Sequence, residues 1–572
     1  MDTVPSVPIP SWGAAMKHAR LAMIAAVLTA ALGFGTPVSA GDAPAGGATA
    51  PTVDAAAGPF ERHHRDHPSY SLGPVDPARA DKVRAINADC LSCHSDAGVK
   101  APPRAGMDLG RLATLTVSAG DFNKSVHAAQ ACTNCHGDAA APYPHGADIT
   151  AATKNCVACH PRAERTIVPA FEDSRHFLRH RQDFTCASCH DAHTMVKASA
   201  LGSPRAVAAQ DNAACLGCHR AQGKPPLASA GTMPDLDLHH AWLPSADLHF
   251  SAVRCIDCHV EATEAGYTHR FVRITKANRD CASCHSGESA LRTRLYRKAL
   301  TGPQVTPAGY LNPAILDQAY VVGATRNILI DQAVIGLGAL LLASLGLHGL
   351  FRFLVPAGVR KRVDALHGGH APVYVFRLWI RVWHWCNVAL MTALALSGVV
   401  LHFSRPITAA GSFALAHKIH AACGLALTAA IVLFLVGNAL TGNWRQFMPA
   451  GSGLMGRLVR QARFYLWDIF RGGEHPFPIT ADRHFNPLQQ IVYALVMYVA
   501  CPVLVATGLL LLVPDVLTGR VMGMDALTLV ATVHYVTAAA ILLFTLSHIY
   551  LATTGGTVLS HLRSMITGWH RD

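Results

Sequence analysis

Cysteine and histidine recur in one fixed pattern in the first half of the sequence. Of 17 cysteines, 14 form seven pairs with two residues between the thiols, namely Cys90 and Cys93, Cys132 and Cys135, Cys156 and Cys159, Cys186 and Cys189, Cys215 and Cys218, Cys255 and Cys258, and Cys281 and Cys284. Each pair is followed directly by a histidine: His94, His136, His160, His190, His219, His259 or His285. Two such thiols can add to the vinyl groups of one haem, and the adjacent histidine can ligate its iron. Disulfides or zinc would need no histidine after every pair, so the motifs predict seven covalent c haems.

Each iron bound in this way has a sixth position for a second ligand. Three motifs have histidines on both sides. The flanking histidines are His127 and His145 at the second motif, His176 with His180 and then His193 at the fourth, and His249 and His269 at the sixth. These flanking histidines can supply six ligands. The seventh ligand could be His180 or one of the adjacent pair His239 and His240. Bis-histidine ligation of all seven haems is therefore possible, with a surface role as the alternative for any one histidine. The spacing does not tell which histidine serves which haem.

The motifs also repeat at a larger scale. The step from Cys156 to Cys215 is similar in length to the step from Cys215 to Cys281, and each step passes over one intervening motif. This indicates a repeating two-haem unit of roughly sixty residues. A domain of this size with seven porphyrins has little room for an ordinary apolar core, so we expect short helices and loops packed around haem.

The second half of the sequence is apolar. Hydrophobic residues make up 51% of the chain and charged residues 15%. Five apolar runs, each long enough to cross a bilayer as a helix, occupy residues 332–351, 382–404, 419–444, 484–514 and 526–562. The predicted fold class is mainly α: a haem-packed multihaem cytochrome c domain, followed by a helical transmembrane bundle.

Charge predicts how the chain is oriented. The loops after the first and third runs and the C-terminal tail hold 14 lysines and arginines, against three in the intervening loops. The positive-inside rule places the C-terminus in the cytoplasm and the c domain in the bacterial periplasm. The net charge of +12 is concentrated in this apolar half, so nucleic-acid binding has no support.

The N-terminus has the features of an export signal. Lys17 and Arg20 precede a short apolar run, which is followed by small residues up to Ala40. An uncleaved anchor is the alternative, although the run is short for one. The predicted organisation is a signal peptide at 1–40, the periplasmic seven-haem domain at 41–325, the first transmembrane helix and a cytoplasmic loop at 326–374, and a second membrane domain at 375–572. This predicts a multi-pass protein of the bacterial inner membrane.

Four histidines in the apolar runs are candidates for function, because ionisable residues are rare in membrane helices. They are His384, His420, His534 and His548. The last two are separated by about 21 Å and nearly four turns of one helix, so they share a face at opposite depths. Alternating helix directions bring His534 level with His420, and His548 level with His384. Two bis-histidine sites for b haem are predicted, with ordinary interfacial histidines as the alternative.

These residues carry a family resemblance. The segments Arg381-Val382-Trp383-His384-Trp385, His420-x-x-x-Gly424 and His534-x13-His548 resemble the di-haem cytochrome b subunits of membrane formate dehydrogenases and nickel–iron hydrogenases. The resemblance implies that the first membrane helix is a linking helix and that residues 375–572 form a four-helix di-haem b module. It also implies two stacked b haems and electron exchange with a quinone. The whole chain resembles inner-membrane multihaem quinol-oxidising cytochromes. The segment containing Asn486 and Gln489 is similar to one beside the quinone in that family, with helix capping by Asn486 as the alternative.

The expected function is electron transfer between the membrane quinone pool, as ubiquinol or menaquinol, and periplasmic carriers or terminal reductases. Electrons would pass through two b haems and seven c haems, and quinol oxidation and the reverse flow are both compatible with the sequence. Two alternatives remain. The c domain could be a substrate-reducing enzyme with an open haem iron, or the chain could anchor a separate hydrogenase or dehydrogenase in the membrane.

Overall fold

The computed structural model describes residues 77–570, apart from the segments 138–139, 141–142, 146–155, 181–183, 221–234, 264–265, 297–303, 356–371, 408–411, 450–452, 474, 481–482, 518, 522 and 556. The predicted signal peptide at 1–40 therefore lies outside the described residues. Within them the chain divides into two compact units. One contains the residues up to 326 together with 397–419, and the other contains 327–396 and 420–570.

The unit that carries the seven motifs is built from short helices. They are α1 (Pro77–Cys93), α2 (Asp96–Lys100), α3 (Leu109–Ala113), α4 (Ala119–Phe122), α5 (Cys132–His136), α6 (Pro161–Thr166), α7 (Val168–Glu172), α8 (Arg175–Arg179), α9 (Pro204–His219), α10 (Leu236–His240), α11 (Ala246–Ala252), α12 (Cys255–His259), α13 (Ala290–Arg294) and α14 (Pro313–Leu316). Single 3₁₀ turns lie at Cys156–Ala158, Cys186–Ser188, Ala198–Ala200, Ile274–Lys276 and Cys281–Ser283. The expectation of short helices and loops is thus met.

Side-chain caps explain why so many short helices form. Ser95, Ser118 and Ser174 each accept a hydrogen bond from a backbone N–H in the first turn of the helix that follows. Ser203 does the same for α9, which has a proline at its first position. Such caps satisfy N–H groups that a short helix cannot pair internally.

A β-hairpin, which the sequence analysis did not predict, interrupts this helical unit. Strand β1 (Val260–Thr263) pairs antiparallel with β2 (Gly266–Phe271) directly after the sixth motif. The register shifts between Val260 and Ala262, so the strands pair with an irregularity. Such irregularities change the direction of neighbouring side chains.

The other unit contains most of the length of the membrane helices. Five helices are long and apolar enough to cross a bilayer: α15 (Ile328–Leu354), α16 (Leu378–Ile407), α17 (Ser412–Thr441), α19 with α20 (Pro487–Leu495 and Cys501–Leu512) and α21 (Ala526–Leu551). A π-helical turn, Val496–Ala500, joins α19 to α20. Leu340, Leu433 and Leu440 are 65–82% exposed, as expected of side chains that face lipid. The predicted mainly α class with five membrane helices is confirmed.

Smaller elements connect these helices. They are β3 (Val373–Tyr374), the 3₁₀ turns Asn443–Phe447, Asp468–Arg471 and Pro514–Val516, α18 (Leu454–Leu466), β4 (Arg520–Val521), β5 (Met524–Asp525), α22 (Ser560–Thr567) and β6 (Trp569–His570). The fifth apolar run was predicted to continue to residue 562, but α21 ends at Leu551. The chain turns there, and α22 is a separate short helix.

Candidate haem sites

Each Cys-x-x-Cys-His motif folds as one helical turn. The backbone N–H of the histidine donates to the carbonyl oxygen of the first cysteine at 2.8–3.0 Å in the motifs of His94, His160, His190 and His285. Residues four apart lie on the same face of a helical turn. The turn therefore presents the first thiol and the imidazole to the same side, as attachment of one haem requires.

Every motif histidine has a second imidazole opposite it. The ring centroids are 5.9–6.3 Å apart in seven pairs: His94 with His145, His136 with His193, His160 with His127, His190 with His269, His219 with His176, His259 with His240, and His285 with His249. Each histidine occurs once in these pairs.

The spacing of the pairs fits a metal between the rings. A metal–nitrogen bond to imidazole is about 2.0–2.1 Å long. Two imidazoles on opposite sides of one iron therefore have centroids about 6 Å apart once the ring radii are added. Seven separations of 5.9–6.3 Å match this spacing, whereas direct ring packing would bring some of them closer. The residues present fit bis-histidine haem.

The pairing crosses between motifs in a regular way. The histidine before an even-numbered motif faces the next motif: His127 faces the third, His176 the fifth and His249 the seventh. The histidines after the even motifs face earlier ones, since His145 faces the first motif and His193 the second. These bracketing histidines therefore face other motifs and not the motif that they bracket. The crossed pairs connect motifs that lie one or two places apart in the sequence.

Of the histidines considered for the seventh position, His240 is the one that faces a motif histidine. Its ring lies 5.9 Å from that of His259, and its Nδ1–H donates to the Leu236 carbonyl oxygen one turn earlier at 2.8 Å. His180, which is also a candidate ligand, directly follows α8 and lies close to His176. The imidazoles that face the seven motif histidines do not include that of His180. The helix α10 selects His240 over His239 because neighbouring residues point about 100° apart.

Backbone carbonyls orient several of these imidazoles. The Nδ1–H groups of His94, His249 and His285 donate to carbonyl oxygens of Leu115, Ser245 and Val322 at 3.1–3.2 Å. This hydrogen bond fixes the tautomer and leaves Nε2 for a metal.

Burial also favours the form of the imidazole that binds metal. Burial, together with the neighbouring His219 as a smaller cause, lowers the pKa of His176 to about 4. The neutral ring is therefore the dominant form of His176 at neutral pH. A neutral imidazole is the form that ligates a metal.

Two buried asparagines join neighbouring motifs. Asn87 lies three residues before Cys90, and its Oδ1 accepts from the N–H of Cys132 at 2.9 Å. Asn212 lies three residues before Cys215 and accepts in the same way from Cys255 at 2.7 Å. Both lie in the sequence Asn-Ala-x-Cys-Leu-x-Cys-His, at 87–94 and 212–219, a signal that the sequence analysis missed. The first motif is thus joined to the second, and the fifth to the sixth.

The β-hairpin positions the histidine that faces the fourth motif. His269 lies in β2 with φ +64°, the left-handed region that residues other than glycine rarely adopt. Its ring is 6.1 Å from that of His190. The irregular register and this backbone conformation turn the side chain toward His190, and such backbone features cluster at functional sites.

In the membrane unit, His384 on α16 and His548 on α21 form one pair. Their centroids are 6.3 Å apart. Tyr493 places its hydroxyl 3.1 Å from Nδ1 of His548, and Phe544 stacks on the same ring at 5.7 Å. The spacing again fits a metal between two imidazoles, here inside a helix bundle.

The other membrane pair is His420 on α17 with His534 on α21, at 6.3 Å. The Thr507 hydroxyl lies 3.0 Å from Nδ1 of His534. Gly508 permits this approach, because a Cβ there would lie 3.2 Å from the His534 ring. At Gly424, one turn after His420, a Cβ would meet no atom within 4 Å, so the helix has open space there. The structure brings together the histidine pairs that the helix spacing predicted.

The two candidate quinone contacts form a capping box. Asn486 Oδ1 accepts from the N–H of Gln489 at 2.9 Å, and Gln489 Oε1 accepts from the N–H of Asn486 at 3.1 Å. Asn486 Nδ2 also donates to the Tyr465 hydroxyl at 3.1 Å. Both side chains therefore cap α19, whereas the sequence analysis gave a capping role to Asn486 alone. Their carbonyl oxygens are engaged in this capping.

Comparison with known proteins agrees with this arrangement. The family model described as prokaryotic cytochrome b561 matches residues 375–568, and the model of a doubled CXXCH motif matches residues 179–224. The Escherichia coli (strain K12) protein named "Putative cytochrome YdhU" is 39% identical over 228 residues, which are 40% of this chain and 83% of that protein. No solved structure matches the chain.

Proposed function

Because the chain belongs to the prokaryotic cytochrome b561 family and also carries c-type haem motifs, we propose that it transfers electrons between the membrane quinone pool and periplasmic redox proteins. Quinol is the proposed electron donor, and a soluble carrier or terminal reductase the proposed acceptor. The haems supply the redox chemistry, and the chain sets their number, spacing and surroundings. The observation that carries the proposal is the set of nine histidine pairs at 5.9–6.3 Å.

We assign seven c haems to the motifs and two b haems to the membrane pairs. In this assignment the distal c-haem ligands are His145, His193, His127, His269, His176, His240 and His249, in the order of the motifs. The b haems lie between His384 and His548 and between His420 and His534. Because each motif histidine faces another imidazole, the assignment favours electron transfer over a substrate-reducing enzyme, which would need an open iron position.

The proposed quinone site lies at the beginning of α19, beside Tyr493 and the His384–His548 pair. Tyr493 connects the two, since it lies on α19 and contacts His548. With their oxygens engaged in the capping box, Asn486 and Gln489 would contact the quinone carbonyl through their amide N–H groups. The distribution of basic residues supports placing this end at the cytoplasmic face and the motif-bearing unit in the periplasm.

The test is reduction of the purified full-length protein by ubiquinol and menaquinol analogues, followed at the b and c absorption bands. Gln489→Ala removes both the cap and the amide donor. Gln489→Glu removes the donor but keeps a side chain that caps well at this position. If the amide binds quinone, both variants slow quinol-dependent reduction, while dithionite still reduces every haem. If Gln489→Glu behaves as the wild type and only Gln489→Ala is slow, capping is the whole role of Gln489.

Failure of either quinol to reduce any haem of the wild-type protein would reject the quinol part of the proposal. Reduction of the b haems by a hydrogenase or dehydrogenase partner would then favour the membrane-anchor alternative.

A further inference from the structure

The seventh motif packs against two helix ends, the last residues of α16 from 397 and the first residues of α17 up to 419. The described residues of both helix ends belong to the same compact unit as the motifs. The ring of Phe413, which is 8% exposed, lies 4.8 Å from the ring of His285. The Ser404 hydroxyl donates to the backbone carbonyl of His285, and Ser404 is 1% exposed. The two helix ends thus contact both the backbone and the side chain of a motif histidine.

The approach is close and depends on a glycine. Gly323 has φ +77°, and a Cβ there would lie 2.5 Å from the His285 carbonyl oxygen and 3.0 Å from Ser404 Oγ. The neighbouring Val322 carbonyl accepts from His285 Nδ1–H at 3.2 Å. Arg326 lies over the Phe403 ring at 5.1 Å. The loop 322–326 and the two helix ends therefore both contact His285.

The helix face of α17 that carries Phe413 also carries two histidines. Phe413, His417 and His420 are spaced at i, i+4 and i+7 in one uninterrupted helix. Residues with this spacing lie on the same face of an α-helix. Phe413 touches His285, and His420 is half of a membrane histidine pair. A single helix face thus carries a contact to the seventh motif and a proposed b-haem ligand two turns later.

We propose that electrons pass between the membrane pair of His420 and His534 and the c chain at the seventh motif, along the α17 face that carries Phe413 and His417. This proposal rests on the proposed function and names the point of entry into the c domain. One electron is exchanged: the His420–His534 site is oxidised, the His285–His249 site is reduced, and no bond forms or breaks. Phe413 acts as a positioning residue that fixes the His285 ring.

The kinetic test uses Phe413→Ala in the full-length protein, with Leu415→Ala as control. Leu415 lies on the same helix turn but is 60% exposed. Stopped-flow reduction by a quinol analogue should show b-haem reduction at the wild-type rate in Phe413→Ala. We expect c-haem reduction to slow by roughly ten- to a hundredfold, the loss that small misplacements of reacting groups cause. Leu415→Ala should reduce both haem types as the wild type does.

A second measurement does not depend on quinol. Electron paramagnetic resonance of the oxidised protein reports the relative orientation of axial imidazoles. Phe413→Ala should shift the low-spin signal of one haem of seven, and Leu415→Ala should shift none. Phe413→Leu, which retains an apolar side chain, is the variant to use if Phe413→Ala lowers haem content.

The outcomes separate the two proposals. An unreduced b haem in wild-type protein would reject quinol as donor, while the resonance shift would still test the role of Phe413. Unchanged c-haem kinetics together with an unchanged resonance spectrum in both Phe413 variants would reject the seventh motif as the entry point.

Discussion

At the scale of residues, direction decides more than closeness in sequence which imidazole faces each motif histidine. His239 and His240 are adjacent, yet His240 is the one that faces His259. Its Nδ1–H is held by the carbonyl of Leu236, so the ring has a fixed orientation. A hydrogen bond of this kind both orients a ligand and raises its basicity.

The His240 assignment predicts a specific spectral change. Replacing His240 by alanine should leave the iron of the sixth motif without its second imidazole, so that one haem in seven becomes high-spin. Electron paramagnetic resonance of the oxidised full-length protein measures this. His239→Ala is the matched control and should retain the wild-type low-spin spectrum. A high-spin signal in His239→Ala and not in His240→Ala would reverse the assignment.

At the scale of elements, each asparagine bridge connects short helices through a single side-chain amide. Asn212, 2% exposed, lies inside α9. Its Nδ2 donates to the carbonyl oxygens of Phe250 and Val253 at 2.8 and 2.9 Å, and its Oδ1 accepts from the N–H of Cys255. One amide thus joins α9 to the end of α11 and the beginning of α12.

Loss of this hydrogen-bonded bridge should destabilise the motif-bearing unit. Asn212→Ala leaves three backbone groups without this partner, and we expect a cost of about 1–3 kcal/mol, the penalty for unsatisfied buried polar groups. A guanidinium titration that follows the low-spin Soret band would show a lower midpoint. Asn134→Ala is the control, because its amide donates to the Gln130 side chain in an exposed hydrogen bond. Equal midpoints for both variants would show that the bridge contributes nothing.

At the scale of the whole molecule, the two units differ in what fills their interiors. The membrane unit has an apolar cluster of Leu427, Ile431, Cys501 and Ile541 between its helices. In the motif-bearing unit a small apolar cluster surrounds Leu291 and Ile315, while the histidine pairs are spread along the chain. In the motif-bearing unit, porphyrins bound between the paired imidazole rings would provide much of the apolar packing.

The number of cofactors is the direct test at this scale. The nine histidine pairs predict seven covalent haems and two extractable haems per chain. Acid–acetone extraction followed by pyridine haemochrome spectra should give a c to b ratio near 7:2. A preparation that is fully loaded with c haem but contains no extractable b haem would contradict the assignment of the membrane pairs.

Orientation is tested separately. The 14 to three distribution of basic residues predicts that the C-terminus is cytoplasmic. Alkaline phosphatase, which is active only after export, should be inactive when fused at the C-terminus. Fused after residue 516, in the connection between α20 and α21, it should be active. The opposite result would invert the topology and move the proposed quinone site to the other face.

The sequence by itself determined the features that are local. Covalent attachment needs only one short contiguous motif, and a membrane span needs only one apolar run, so seven motifs and five helices were readable without a fold. The membrane pairs were also predictable, because a straight helix fixes the depth of His534 against His548. The resemblance to a membrane b cytochrome joined to a multihaem c domain is confirmed by the family comparisons.

Only the tertiary structure decided which distal histidine faces which motif. The ring of His193 faces that of His136, and the ring of His269 faces that of His190, although two other motifs lie between the members of each pair in the sequence. Because the helices that carry the motifs are short, no single long helix fixes the orientation of one motif relative to the next. The unpredicted β-hairpin, the left-handed backbone at His269 and the contact of Phe413 with His285 arise because packing between distant segments sets those directions, and no local periodicity encodes it.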